Sequence, residues 1–492
     1  MSELFRIFLA VALVLGNGCT NSSQAQKIRQ PAVAGTFYPA DKNNLRQMIE
    51  GYLANTKALR INEPISALIA PHAGYIYSGQ VAAESYAQLQ GRKIKRVVII
   101  APSHIDYFEG VSIYEGDAYA TPLANIPIDK NFARELTKKS DLIFLSGRGH
   151  VASSGRGEHS LEVQLPFLQV VLDDFKLVPI IMGEQSYETC RALALSLAGL
   201  IKDRQTVIVA SSDLSHFHTY SEAVALDKKV LEAINDWDYY NLSRNLQSRI
   251  WEACGGGPIV TVMMAAERLG ATEARILKYA NSGDVPAGDK NRVVGYSAFA
   301  FFKSQKGEKN ADFTLNAADR RTLIAIAKKA VREKVLYNRI YEPKVNSPAL
   351  LRARGAFVTL KKQGSLRGCI GYTSPIKALY LTIRDMAVSA AVNDRRFSPV
   401  SKEELAHLDF EISVLSSFKH ITAIEEIEIG KHGLLIKKGG YAGLLLPQVA
   451  TDYQWDRKTF LQQTCRKAGL AQNAWQDKNS DIFMFTAFVF SE

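Results

Sequence analysis

Residues 66–74 read SALIAPHAG, and residues 97–104 read VVIIAPSH. Each is an apolar, β-prone run closed by Ala-Pro with a histidine just beyond it. Proline cannot donate to a sheet ladder, so it ends a central strand and turns the following residues away from the sheet. A third apolar run, 206–210, leads into Ser211-Ser212-Asp213-Leu214-Ser215-His216. In open α/β sheets, ligand sites collect beyond the carboxyl ends of the strands. His72, His104 and the Asp213/His216 pair are therefore expected to meet at one site.

Working outward, 65–70, 96–101, 176–182, 206–210 and 293–302 read as strands, rich in Val and Ile. Between them lie helix-like segments such as 78–89, 189–202 and 220–235. Buried β-branched runs alternating with amphipathic helices predict an α/β domain with a largely parallel or mixed central sheet over 28–303. The segment 304–314 contains SQKGEKNAD and reads as a linker. Beyond it, a helix over 317–337 opened by Asn316 begins an α+β domain running from 315 to 492. At 492 residues the chain exceeds one ordinary core, which agrees with this division.

Two further pieces join the expected site. Glu158-His159-Ser160 follows a Gly-rich loop, and Cys254 stands in ACGGGP (253–258), where glycines let backbone approach closely. Imidazoles with a thiolate or carboxylate suit iron, zinc or copper rather than magnesium or calcium. His72, His104, His159 and His216 all sit in short loops flanked by Gly, Pro or Ser, whereas His150 and His218 lack that context and read as structural.

These motifs resemble one family. APHAGYIYSG (70–79), APSH (101–104), EHSLEVQLPF (158–167), SSDLSHF (211–217) and Cys254-Gly255 resemble the Memo family in order and spacing, and VAGTFYPA (33–40) and NSGDV (281–285) agree. The resemblance implies a fold similar to class III extradiol dioxygenases, which hold ferrous iron with two histidines and a glutamate. Carried over by motif, it implies His72, His104 and Cys254 as metal ligands, Asp213 and His216 as acid/base groups, and His159 in the pocket. Fe2+ is the expected metal, with copper or zinc as alternatives. A cysteine replaces the dioxygenase glutamate, so ring opening does not follow.

In the second domain, LRGCIG (366–371), NDRRFSP (393–399), FEISVL (410–415) and His432-Gly433 resemble the AMMECR family over about 315–490. Arg367 could lower the pKa of the Cys369 thiol, and a Cys369–His432 nucleophile pair is one reading. A buried structural cysteine in a Gly-rich turn is the other. Cys190 and Cys465 lie in helix-like segments and read as packing. Together the two resemblances imply membership of an AmmeMemoRadiSam system, with a radical S-adenosylmethionine protein as partner.

The first residues read differently. The apolar run 7–15 follows Arg6 and leads into Gly16-Asn17-Gly18-Cys19. It is too short to span a bilayer but has the layout of a secretory signal over 1–26. Cys19 after a small residue resembles a bacterial lipobox, with 20–26 as a polar tether. Export as a lipoprotein anchored through Cys19 is the expectation, and a cytoplasmic protein the alternative. The formal charge of +11 is spread along the chain, with no zinc finger or RNA-binding signature, so no nucleic-acid partner is expected. Five cysteines without a C-x-x-C exclude a disulfide scaffold. A metal-dependent oxidoreductase is the function expected. A scaffold protein with a degenerate dioxygenase-like pocket and a zinc hydrolase are the alternatives.

Overall fold

The computed structural model describes residues 26–151, 157–286, 288–304, 315–373, 375, 377–421 and 423–491. The leader, Cys19 and residues 305–314 of the linker lie outside the described residues. No helix among the described residues is long and apolar enough to cross a membrane.

The N-terminal domain is built on a nine-stranded mixed sheet. At its centre, Ile65–Ala70, Thr206–Ser211, Arg96–Pro102 and Lys176–Met182 lie side by side and parallel. Val293–Phe302 pairs antiparallel with Ile65–Ala70 and carries Glu273–Asn281 on its other side. Side chains alternate across a sheet, so a strand buried on both faces must be apolar throughout. Val97, Ile99 and Ala101 accordingly enter one core, and Val98 and Ile100 the opposite one. Helices Tyr187–Leu200 and Gly256–Arg268 cover the second face, while Tyr75–Ala87 covers the first.

The C-terminal domain is α+β. Its seven-stranded antiparallel sheet runs Ser365–Tyr372, Ala356–Lys362, Leu408–Leu415, Asp481–Ser491, His432–Lys438, Tyr441–Leu445, with Lys419–Ile421 also on Asp481–Ser491. Helices Ala317–Tyr337 and Leu379–Val392 pack on one end of it, and Asn316 caps the first by accepting the Asp319 N–H. The other end packs around Phe460 and Ile436. The core on the helix-covered second face of the N-terminal domain continues into this domain through Leu415, Phe418, Leu435, Phe483 and Phe485. The Tyr239 and Tyr240 rings lie 5.9 and 5.3 Å from that of Phe483.

Candidate metal centre

His72, His104 and Asp213 each lie two residues past a strand, after Ile65–Ala70, Arg96–Pro102 and Thr206–Ser211. Those strands are neighbours in the sheet, so the three side chains converge at one edge. Cys254 arrives from a different element, immediately before Gly255, the N-cap of helix Gly256–Arg268. A Cβ on Gly255 would lie 2.2 Å from the Ser211 carbonyl oxygen, so only glycine lets this loop meet the strand end. Gln185 brackets the same turn. Its Nε2 donates to the Cys254 carbonyl (2.9 Å) and its Oε1 accepts the Gly257 N–H (2.7 Å).

The hydrogen bonds fix how the imidazoles present themselves. Ser211 Oγ donates to the Ser160 carbonyl (2.6 Å) and accepts from Gln164 Nε2 (2.8 Å). Its remaining partner, His72 Nδ1 at 2.8 Å, must therefore donate to it. The lone pair of His72 Nε2 is left pointing at Cys254 Sγ, 3.1 Å away. His104 Nδ1 donates to Glu158 Oε1 (2.9 Å), and His216 Nδ1 to the Leu214 carbonyl (2.8 Å), which leaves Nε2 on each. A histidine whose far nitrogen is held by a carboxylate or carbonyl is the usual form of a metal ligand. The donor atoms of His72, His104 and Cys254 all lie within 4.8 Å of one another.

A second compact set, His104, Glu158 and His159, shares His104. The Glu158 carboxylate, however, already accepts the backbone N–H groups of His104, His159 and Ser160 as well as His104 Nδ1. Its oxygens serve to orient His104. Burial alone would raise the Glu158 carboxyl, but the bonds and charge from His104 outweigh it and hold the group down to about 2.

Asp213 is the opposite case. Burial pushes it up to about 7, although it accepts the His72 N–H at 2.8 Å. One of its oxygens lies 3.9 Å from His72 Nε2, and its own N–H donates to Cys254 Sγ (3.3 Å). Burial, then the Asp213 carboxyl, pushes the Cys254 thiol up, and burial lowers His72, His159 and His216. Buried imidazoles beside a thiol held in its protonated range are groups that a cation would convert to ligands by displacing protons.

The His159 ring is stacked 4.6 Å from that of His104 and lies tilted against Phe37 at 4.9 Å. Phe37 is placed by a buried ion pair. Arg29 Nη1 meets Glu162 Oε2 at 2.6 Å, and Glu162 also accepts the N–H groups of Ala32 and Val33 and the Tyr38 hydroxyl. Phe217 shows its ring beside His216 and under Arg292, at a φ of 65° that bulky residues seldom adopt. Glu162, Gln164 and Ser211 did not stand out as site residues in the sequence, and Glu158 stood out there without its role of orienting His104. The available signal was polar side chains inside EHSLEVQLPF, a segment otherwise apolar enough to be core. His150 is buried with the Tyr119 hydroxyl on one nitrogen and the Ser112 carbonyl on the other, and His218 pairs with Glu252.

The second-domain candidates do not assemble. Cys369 and His432 lie on strands four steps apart in the sheet, on the order of 19 Å at the usual strand spacing, so they form no nucleophile pair. LRGCIG is also not a turn but part of strand Ser365–Tyr372. Its glycines serve packing, since a Cβ on Gly368 would meet the Ala390 carbonyl oxygen of helix Leu379–Val392 at 2.1 Å. Cys369 is half-buried and accepts from the Thr359 hydroxyl (3.2 Å), while Arg367 is turned to Glu404 (2.9 Å) and not to the thiol. His432 Nδ1 accepts the Glu428 N–H. Cys190 and Cys465 are fully buried in helices.

Comparison with known families accounts for this architecture. A family model described as Memo-like protein matches residues 29–300. The chain belongs to the Memo family. A second model, AMMECR1, matches 324–490, so a Memo domain is fused to an AMMECR1 domain. The chain is 37% identical over 279 residues to a MEMO1 family protein of Nitrosopumilus maritimus, covering 56% of this chain and 99% of the relative. It is 40% identical over 275 residues to one from Methanosarcina mazei, covering 55% and 98%. A crystal structure of an uncharacterized protein from Pyrococcus horikoshii is 39% identical over 35% of this chain and 89% of its own, with a TM-score of 0.33.

Proposed function

We propose that the Memo domain is a metal-dependent oxidoreductase holding one ion, iron before copper or zinc, through His72, His104 and Cys254. The observation that carries this reading is the committed Nδ1 of each histidine, which leaves Nε2 lone pairs beside a thiol only 3.1 Å from His72. The donor set fits a transition metal, since two imidazoles and a sulfur suit iron, copper or zinc and not a hard cation. When bound, such an ion supplies Lewis acidity and, as iron or copper, electron transfer. Glu158 and Ser211 hold the two imidazoles in their ligating tautomer. Asp213, near 7, and His216, with a free Nε2, are suited to hold and pass protons beside the site. Phe37 and His159 wall it on one side.

Metal analysis of the full chain purified without oxygen tests the reading. Stoichiometric iron is expected, with occupancy falling about 10-fold or more in His72→Ala, His104→Ala and Cys254→Ala. Stoichiometric zinc instead favours hydrolysis, and absence of metal a scaffold role. Full metal content in all three variants overturns the ligand assignment. Asp213→Asn is expected to keep the ion and lose turnover.

The cellular setting is a separate proposal. Fusion of the two domains supports action in an AmmeMemoRadiSam system with a radical S-adenosylmethionine protein, and co-purification with such a protein tests it. The apolar run 7–15, followed by Gly18-Cys19, supports export. Membrane recovery of the native protein and its loss in Cys19→Ala is the expected outcome, whereas soluble cytoplasmic protein in both cases removes the anchor.

A further inference from the structure

Asp481 opens the last strand of the AMMECR1 domain, yet its buried carboxylate is gripped by the Memo domain. The Tyr187 hydroxyl donates to it at 2.9 Å, and Arg191 Nε at 2.8 and 2.7 Å. Arg191 Nη2 also donates to the Lys478 carbonyl (2.8 Å). Arg268 Nη2 and His420 Nε2 lie 3.9 and 3.4 Å from the same carboxylate. The Memo-domain groups, two guanidinium cations and one hydroxyl, come from two helices. Tyr187 and Arg191 are one turn apart at the start of Tyr187–Leu200, and Arg268 ends Gly256–Arg268.

These are the two helices that bracket Cys254. Gln185, two residues before Tyr187, clamps the turn through the Cys254 carbonyl and the Gly257 N–H. Gly256–Arg268 begins two residues after Cys254, and Cys190 Sγ donates to the Gly257 carbonyl at 3.4 Å. The clamp has no slack, because a Cβ on Gly257 would lie 2.7 Å from Gln185 Cβ. We infer that Asp481 is a positioning residue for the Cys254 sulfur, so that the AMMECR1 domain sets the donor geometry of the Memo domain's metal site. The path is Asp481 to Tyr187 and Arg191, then Gln185, then the Cys254–Gly257 turn. Removing the carboxylate leaves the Arg191 guanidinium without its anion and frees the start of its helix. The ligand role of Cys254 rests on the metal reading above; its placement does not.

Two readouts on the full chain separate these. One is cobalt(II) titration, followed by thiolate-to-cobalt charge-transfer absorption. The other is the alkylation rate of Cys254 by iodoacetamide in metal-free protein, read by peptide mass. Asp481→Asn is expected to weaken cobalt binding about 10-fold and to speed alkylation, with Asp481→Glu recovering part of both. Tyr187→Phe, which leaves no charge unpaired, shifts both in the same direction by less. Arg352→Ala breaks a different interdomain pair, Arg352 Nη2 to Asp236 Oδ2 at 2.7 Å, and is expected to change neither. Unchanged values in folded Asp481→Asn and Tyr187→Phe overturn the inference, as does an equal effect of Arg352→Ala. A wild-type protein without a thiolate band overturns the metal reading instead, and the alkylation rates then decide the positioning role.

Discussion

His72 and His150 are both buried imidazoles, and their partners separate their roles. His150 uses both nitrogens on structural partners, the Tyr119 hydroxyl and the Ser112 carbonyl, whereas His72 turns Nε2 to the Cys254 sulfur. Burial, aided by Arg29, lowers His150 to about 3. The unfolded imidazole titrates near 6.5, so between those values only the unfolded chain takes the proton. The contribution of His150 to stability is therefore whole above pH 7 and is lost as pH drops from about 6.5 toward 3. Denaturant unfolding at pH 7.5 and 4.5 is expected to show that loss, and His150→Gln to flatten it; an unchanged slope removes the neutral-imidazole assignment. Glu158→Gln tests the other histidine class. It keeps the shape but weakens the acceptor for His104 Nδ1, and metal affinity by competitive titration is expected to fall about 10- to 100-fold.

At the scale of elements, the site depends on how closely one loop can approach a strand end. Gly255→Ala forces a Cβ to 2.2 Å from the Ser211 carbonyl oxygen, so the loop must retreat. A loss of about 2 kcal/mol in chemical denaturation is expected, together with weaker metal binding; wild-type stability would show that the loop adapts. The strands themselves were legible. Ile65–Ala70, Lys176–Met182 and Val293–Phe302 coincide with the runs read from the sequence, because strands buried on both faces are uniformly apolar. Helix Tyr75–Ala87 begins three residues before its predicted start, since Gly74 caps it without a side-chain signal. LRGCIG read as a turn because glycine marks turns and also tight packing, and only the neighbouring helix distinguishes the two.

At the scale of the whole molecule, the domains share a core, so they are expected to unfold together. Phe483 is fully buried in that core between the Tyr239, Tyr240 and His420 rings. Phe483→Ala is expected to cost about 3–5 kcal/mol and to lower a single calorimetric transition. Two separate transitions, with only the AMMECR1 one shifted, would show the domains to be energetically independent.

By itself the sequence determined the two-domain order, the strands of a parallel or mixed sheet and which three strand ends carry His72, His104 and Asp213. Those follow from local periodicity and from Ala-Pro stops, which need no distant partner to be read. Only the tertiary structure decided which nitrogen each histidine leaves free, because that depends on Ser211, Glu158 and Leu214, brought in from other segments or from backbone. It also decided that Cys369 and His432 stay apart, since sheet order is not encoded in spacing along the chain. The grip of Asp481 on the helices around Cys254 belongs to the same class: residues nearly 300 positions apart met only when the two cores merged.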